Sequence, residues 1–237
     1  MRNSKNLLKM ITLSMLIALG VVISPILRVE GMCPMAHFIN IVCSVFLGPW
    51  YSLLCATLIG IIRMLLMGIP PIALTGAIFG AFLSGVFYRL SRGRILFAVL
   101  GEVIGTGIIG AIISYPVMTF LWGREGLSWL FYVPSFICGT LIGGSIAYVF
   151  LRKFAANGML AKIQRMLGAK GYTDHSSLLS NAITIASLGG ILFVVFELAT
   201  DIFNLTGPAW DNLSYIALIA CGITALIYYI VKKVKFH

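Results

Sequence analysis

Three ionisable side chains, His37, Arg63 and Glu102, stand inside apolar runs of this sequence, and the amide of Asn40 stands beside the first of them. His37, Asn40 and Ser44 fall at i, i+3 and i+7, so a helix beginning after Pro34 carries all three on one face. Polar groups at hydrocarbon depth cost free energy unless they are partnered or line a cavity. The stripe therefore reads as a pocket wall or as glue between helices, and for Asn40 and Ser44 the two readings weigh equally. His37, just after Cys33-Pro34, leans toward a site.

Glu102 is the sharpest single residue. Counted from Arg94 it lies about 12 Å along a helix, where a lone carboxylate marks function by default. It must be protonated, or paired with a cation or ligand; a hydrogen bond to a neighbouring helix is the structural alternative. Thr106 follows one turn on, then Gly110 and Ser114 at the same spacing, which makes a polar and small groove. Arg63 precedes Gly68-Ile69-Pro70-Pro71, a stiff turning loop that with Cys33-Pro34 forms a candidate lid. Its guanidinium either serves the site or snorkels to the headgroups. Tyr115 and Tyr132 either stack on a flat ligand or join Trp122 and Trp129 in an interfacial belt, with Trp50 and Tyr51 in the belt of the other side. There is no GxxxxGK[ST], HExxH or GxSxG, and the cysteines at 33, 43, 55, 138 and 221 lack metal-ligand spacing. No cofactor, metal or catalytic residue is expected, and any ATP must be hydrolysed by a partner.

The elements that position these groups are set by composition. Hydrophobic residues make up 60% and charged residues 10% of the chain, and the mean hydropathy is +1.03. That is the signature of an integral membrane protein. Spans are expected at 7–27, 36–47, 49–66, 72–90, 95–121, 128–151, 179–200 and 213–231, with the first run too long for a signal-peptide core. Residues 36–66 would make one long helix, but Gly48-Pro49 is a turn signal, and splitting there leaves a short helix of about 18 Å. Charge supports the split. With the N-terminus inside, fourteen of the seventeen basic residues fall on the cytoplasmic side, and only Arg28, Arg63 and Arg124 do not. A net charge of +10 is thus topology, and nucleic acid is not an expected partner.

Small-xxx-small pairs at Ser14 and Ala18, Gly76 and Gly80, Gly101 and Gly105, and Gly139 and Gly143 let helices approach closely. For the last three, bundle packing suffices. The first span has no buried ionisable group, which leaves Ser14 and Ala18 as a candidate partner surface. The chain divides into a six-helix core at 1–152, a basic amphipathic linker at 153–178, where Met159, Leu160, Ile163, Met166 and Leu167 follow helical spacing, and two further spans at 179–237. Glu197, Asp201 and Asp211 lie toward the outer side of the last two.

The segments PMAHFIN, FLGPWY, IIRM, GAIFGAFLSGVFYRL, VLGEVIGTGIIGAIISYP and FYVPSF resemble the ThiW family over about residues 10–152. Those proteins are substrate-binding S-components of energy-coupling factor (ECF) vitamin transporters, linked to the thiazole precursor of thiamine. The resemblance implies a six-helix core in a prokaryotic cell membrane, and the charge count over eight spans places both termini of this all-α, multi-pass chain in the cytoplasm. The resemblance also implies that the chain captures hydroxyethylthiazole from outside and works with a transmembrane coupling subunit and two ATPase subunits. Pro34, His37, Asn40, Arg63, Glu102, Thr106, Tyr115 and Tyr132 become candidate substrate-binding residues, and Ser14 and Ala18 the partner interface. The family pattern has glutamine where Ala36 stands and asparagine where Met64 stands. Thiamine or hydroxymethylpyrimidine as cargo, and an intramembrane enzyme using Glu102 and His37 as acid and base, are the alternatives.

Overall fold

The computed structural model describes residues 2–26, 32–169, 171–172, 178–203, 207, 210 and 212–235. Arg28, Gly31, Lys170 and Asp211, and the side chains of Glu197 and Asp201, lie outside the described residues. Among the described residues the secondary structure is helical: α1 Arg2–Ile26, α2 Pro34–Leu47, α3 Pro49–Met67, α4 Ile72–Leu90, α5 Ile95–Leu121, α6 Val133–Ala156, α7 Met159–Met166, α8 Leu178–Phe203 and α9 Leu213–Lys235. Six of these, α1, α3, α4, α5, α6 and α9, are long and apolar enough to cross a membrane. The molecule is a multi-pass all-α membrane bundle.

The short α2 is its centre. Every residue from Ile39 to Pro49 is buried, because α1, α3, α4, α5 and α6 pack around this helix and α7 touches its far end. At 14 residues it is about 21 Å long, less than the roughly 30 Å hydrocarbon core. Its N-terminus therefore stops short, and headroom remains above Pro34. The break that ends it is chemical. Gly48 sits at φ +93° with its N–H returned to Ser44 O at 2.9 Å, and Pro49, which has no N–H to give, starts α3. A β-carbon at Gly48 would also displace the end of the Arg89 side chain, but it is the positive φ that requires glycine at the elbow.

Helix α5 is a continuous rod whose hydrogen-bond pitch widens to π form over Val103–Gly110 and again over Val117–Leu121. It lies on α4 along the small residues, with Gly105 against Gly80 and Gly110 against Gly76. Ser114 Oγ and Thr75 Oγ1, 2.7 Å apart, close that seam. The groove expected on Thr106, Gly110 and Ser114 is thus filled by α4 for most of its length. Helix α8 packs on α6 and pairs with α9, whose outward side chains Ile216, Ile219, Ile223, Leu226 and Ile227 are all exposed.

The amphipathic α7 closes the end of the bundle opposite the α2 N-terminus. Leu160 and Leu167 enter the core, while Met159 and Met166 remain exposed. Gln164, 1% exposed, is the polar anchor: its Nε2 donates to Val45 O and to Tyr88 Oη, each at 2.9 Å, and its Oε1 accepts from Tyr172 N at 3.2 Å. Gln164→Leu removes all three bonds at a buried position. The expected loss is about 2–3 kcal/mol of stability, read as a lower unfolding temperature in detergent with ligand affinity unchanged.

Candidate functional site

The polar stripe of α2 meets α5 at one carboxylate. Glu102 is fully buried, and its Oε1 accepts from His37 Nδ1 at 2.9 Å, Asn40 Nδ2 at 3.0 Å and Thr106 Oγ1 at 3.1 Å. Three donors from two helices on one oxygen lock α2 to α5. Asn40 is held further by Ser52 Oγ, which donates to its carbonyl at 2.9 Å, and Ser44 Oγ pairs with Ser84 Oγ of α4 at 2.8 Å. Helix α4 reaches this cluster only because residue 80 is glycine: a β-carbon there would collide with Thr106 Oγ1 and come within 2.9 Å of the Glu102 carboxyl.

Above the cluster, in the space left by the short α2, lies a cavity of about 110 Å³. His37, Thr106 and Arg63 supply its main polar wall, and Ile72, Ala73 and Phe136 supply apolar wall. Met32, Cys33 and Ile69 contribute to the lining from the two loops flanking it. Since Glu102 holds Nδ1 of His37, Nε2 is the ring nitrogen left for a ligand. Arg63 is only 5% exposed, which is not the placement of a side chain snorkelling to the headgroups. A sealed cavity of about 150 Å³ can hold benzene; this one is smaller but half open, so it suits a single small ring whose substituents reach out of it.

The sequence matches the family described as thiamine-precursor transporter protein (ThiW) over residues 10–157. The chain belongs to the ThiW family. No curated protein and no solved structure gives a significant match. The ThiW segment runs from within α1 to the end of α6, and every residue that lines the cavity falls inside it. Membership places the chain in a transporter family, and the bundle gives it the multi-pass architecture that such a role needs.

Of the eight ThiW substrate-site candidates, His37, Arg63 and Thr106 line the cavity. Asn40 and Glu102 stand one layer behind it as the support that fixes His37. Pro34 is buried, with its carbonyl against Gly143 of α6. Neither tyrosine forms part of the cavity wall. Tyr115 stacks on Trp129, with ring centroids 4.5 Å apart, and Tyr132 is buried beside Met118 and Ala111. The aromatic wall is Phe136, one helical turn beyond Tyr132 and packed on it at 5.9 Å. The physical reason is the start of α6: Tyr132 is its N-cap, and only the next turn projects a ring under the loops. An i, i+4 pair of aromatics in FYVPSF was the available signal, and it left the choice of ring open. Ala36, where the family pattern has glutamine, also lines the cavity. Ser14 and Ala18 are exposed on α1.

Proposed function

We propose that the chain is the substrate-capture subunit of an ECF-type vitamin transporter, binding hydroxyethylthiazole or a close thiazole relative from outside the cell. It then presents that cargo to a separate membrane coupling subunit and its ATPases. The observation that supports this most is the cavity: its one-ring size, its flat Phe136 wall and its few polar groups, all within the ThiW-matched segment. Orientation follows from charge, with the basic loops and both termini cytoplasmic and the cavity facing out. Ring stacking on Phe136 and a hydrogen bond to His37 Nε2 would hold the thiazole.

Binding by the isolated chain to hydroxyethylthiazole, hydroxymethylpyrimidine and thiamine, measured side by side, tests the reading. The thiazole is expected to bind tightest, and two-ring thiamine at least tenfold more weakly, because a cavity of about 110 Å³ seats one ring and leaves the second outside the apolar wall. Equal or tighter binding of thiamine would reassign the cargo. The 2.9 Å contact between His37 and Glu102 is also what an intramembrane acid–base pair would use. Co-purification of ATPase subunits with the chain from its native membrane would speak against that enzyme.

A further inference from the structure

Arg63 is a buried cation with almost nothing to bind. Among the described residues its one hydrogen-bond partner is Cys33, whose Sγ lies 3.6 Å from Nη2, and its Nε is buried with no partner at all. The cavity lining that it belongs to holds no Asp or Glu. Glu102 does not serve it: that carboxyl group is fully buried behind the wall, its Oε1 takes His37, Asn40 and Thr106, its Oε2 is buried with no partner, and among the described residues no ion pair or hydrogen bond joins it to Arg63. A desolvated guanidinium lacking a counter-charge is strongly disfavoured, and its planar fork of N–H donors matches two oxygens of one anion.

We infer that the ligand carries an anionic oxygen group, a carboxylate or a phosphate monoester, which Arg63 grips while the ring lies on Phe136. This names the form of the thiazole and so rests on the thiazole reading above. A neutral alcohol offers the guanidinium a single hydroxyl oxygen; a carboxylate or phosphate offers two and cancels the buried charge. The cavity is half open, so the ring lies on Phe136 while the anion extends along the Arg63 wall, toward α3.

The test is a binding panel on the purified full chain with hydroxyethylthiazole, its phosphate monoester, and a 4-methylthiazole carboxylate. At least one anionic form is expected to bind tenfold or more tightly than the alcohol, and which one does so tells carboxylate from phosphate. Arg63→Gln is expected to bring all three within about threefold of one another, and Arg63→Lys to keep only part of the preference. Glu30, the nearest acid along the chain and outside the described residues, is controlled by Glu30→Gln, which is expected to leave the preference unchanged. Alcohol binding as tight as the anions, a preference that survives Arg63→Gln, or one that emerges only in Glu30→Gln would each overturn the inference. If no thiazole binds, the thiazole reading fails, and unfolding temperature decides this one separately. Millimolar acetate or inorganic phosphate should stabilise the wild type above chloride at equal ionic strength, and should not stabilise Arg63→Lys to the same extent. No stabilisation of the wild type would sink it.

Discussion

Glu102→Ala is expected to weaken ligand binding by about 100-fold or more, although the carboxylate itself does not line the cavity. The effect runs through His37. Glu102 Oε1 is the acceptor for His37 Nδ1, and the same oxygen holds Asn40 and Thr106. Alanine leaves three buried donors without their shared acceptor and lets the imidazole turn away from the cavity. A hydrogen bond to a charged group contributes roughly 1.5–3 kcal/mol, and the loss of His37 positioning together with distortion at Thr106 reaches about 3 kcal/mol, which is about two decades in Kd. Glu102→Gln separates orientation from charge. Its amide oxygen can still accept at the Oε1 position while its NH2 faces the buried region of Oε2, so binding about tenfold weaker than wild type is expected. The readouts are affinity by titration and folding by unfolding temperature in the same detergent. An alanine variant that binds within threefold of wild type would show that His37 does not need Glu102 to serve the cavity.

That dependence on an indirect contact also marks where sequence reasoning stops. The Gly48-Pro49 break was legible because both residues carry local backbone rules, one permitting positive φ and the other lacking a donor, and the charge count gave an independent reason to split there. The i, i+3, i+7 stripe on α2 was legible for the same kind of reason, since helical period alone puts His37, Asn40 and Ser44 on one face. Nothing local says which stripe members meet a ligand. Ser44 ends on Ser84, and Asn40 on a carboxylate 62 residues away, because α4 and α5 happen to pack there. The π-form turns after Glu102 were invisible too: VIGTGIIG has no local signal that separates a widened helix from an ordinary one. Gly80 read as generic packing, yet it is the residue that admits Thr106 and Glu102 to the cluster. Gln164 was passed over inside an amphipathic pattern, where a polar residue is expected to face water and here faces the core.

The surface of α1 yields the other large expected effect, and it separates capture from transport. Leu13 and Leu16 point into the bundle, whereas Met15 at 61% and Val22 at 55% exposed, with Ser14 and Ala18 also exposed, form the opposite face. No ionisable group on that face connects it to the cavity, and small residues one turn apart leave a shallow track on which another helix can lie close. If the coupling subunit docks there, Ser14→Trp or Ala18→Trp fills the track with an indole that packed helices cannot absorb. Uptake by cells carrying the partner subunits is then expected to fall at least tenfold, while the purified variants bind ligand within twofold of wild type, because the altered side chains lie outside the cavity lining and face away from the core. Membrane insertion and amount are checked by immunoblot, so that loss of protein is not read as loss of coupling. Unchanged uptake in both variants would move the docking surface off this face of α1. Lost binding would instead mean that α1 is tied to the cavity through its packing on α2, the helix that carries His37.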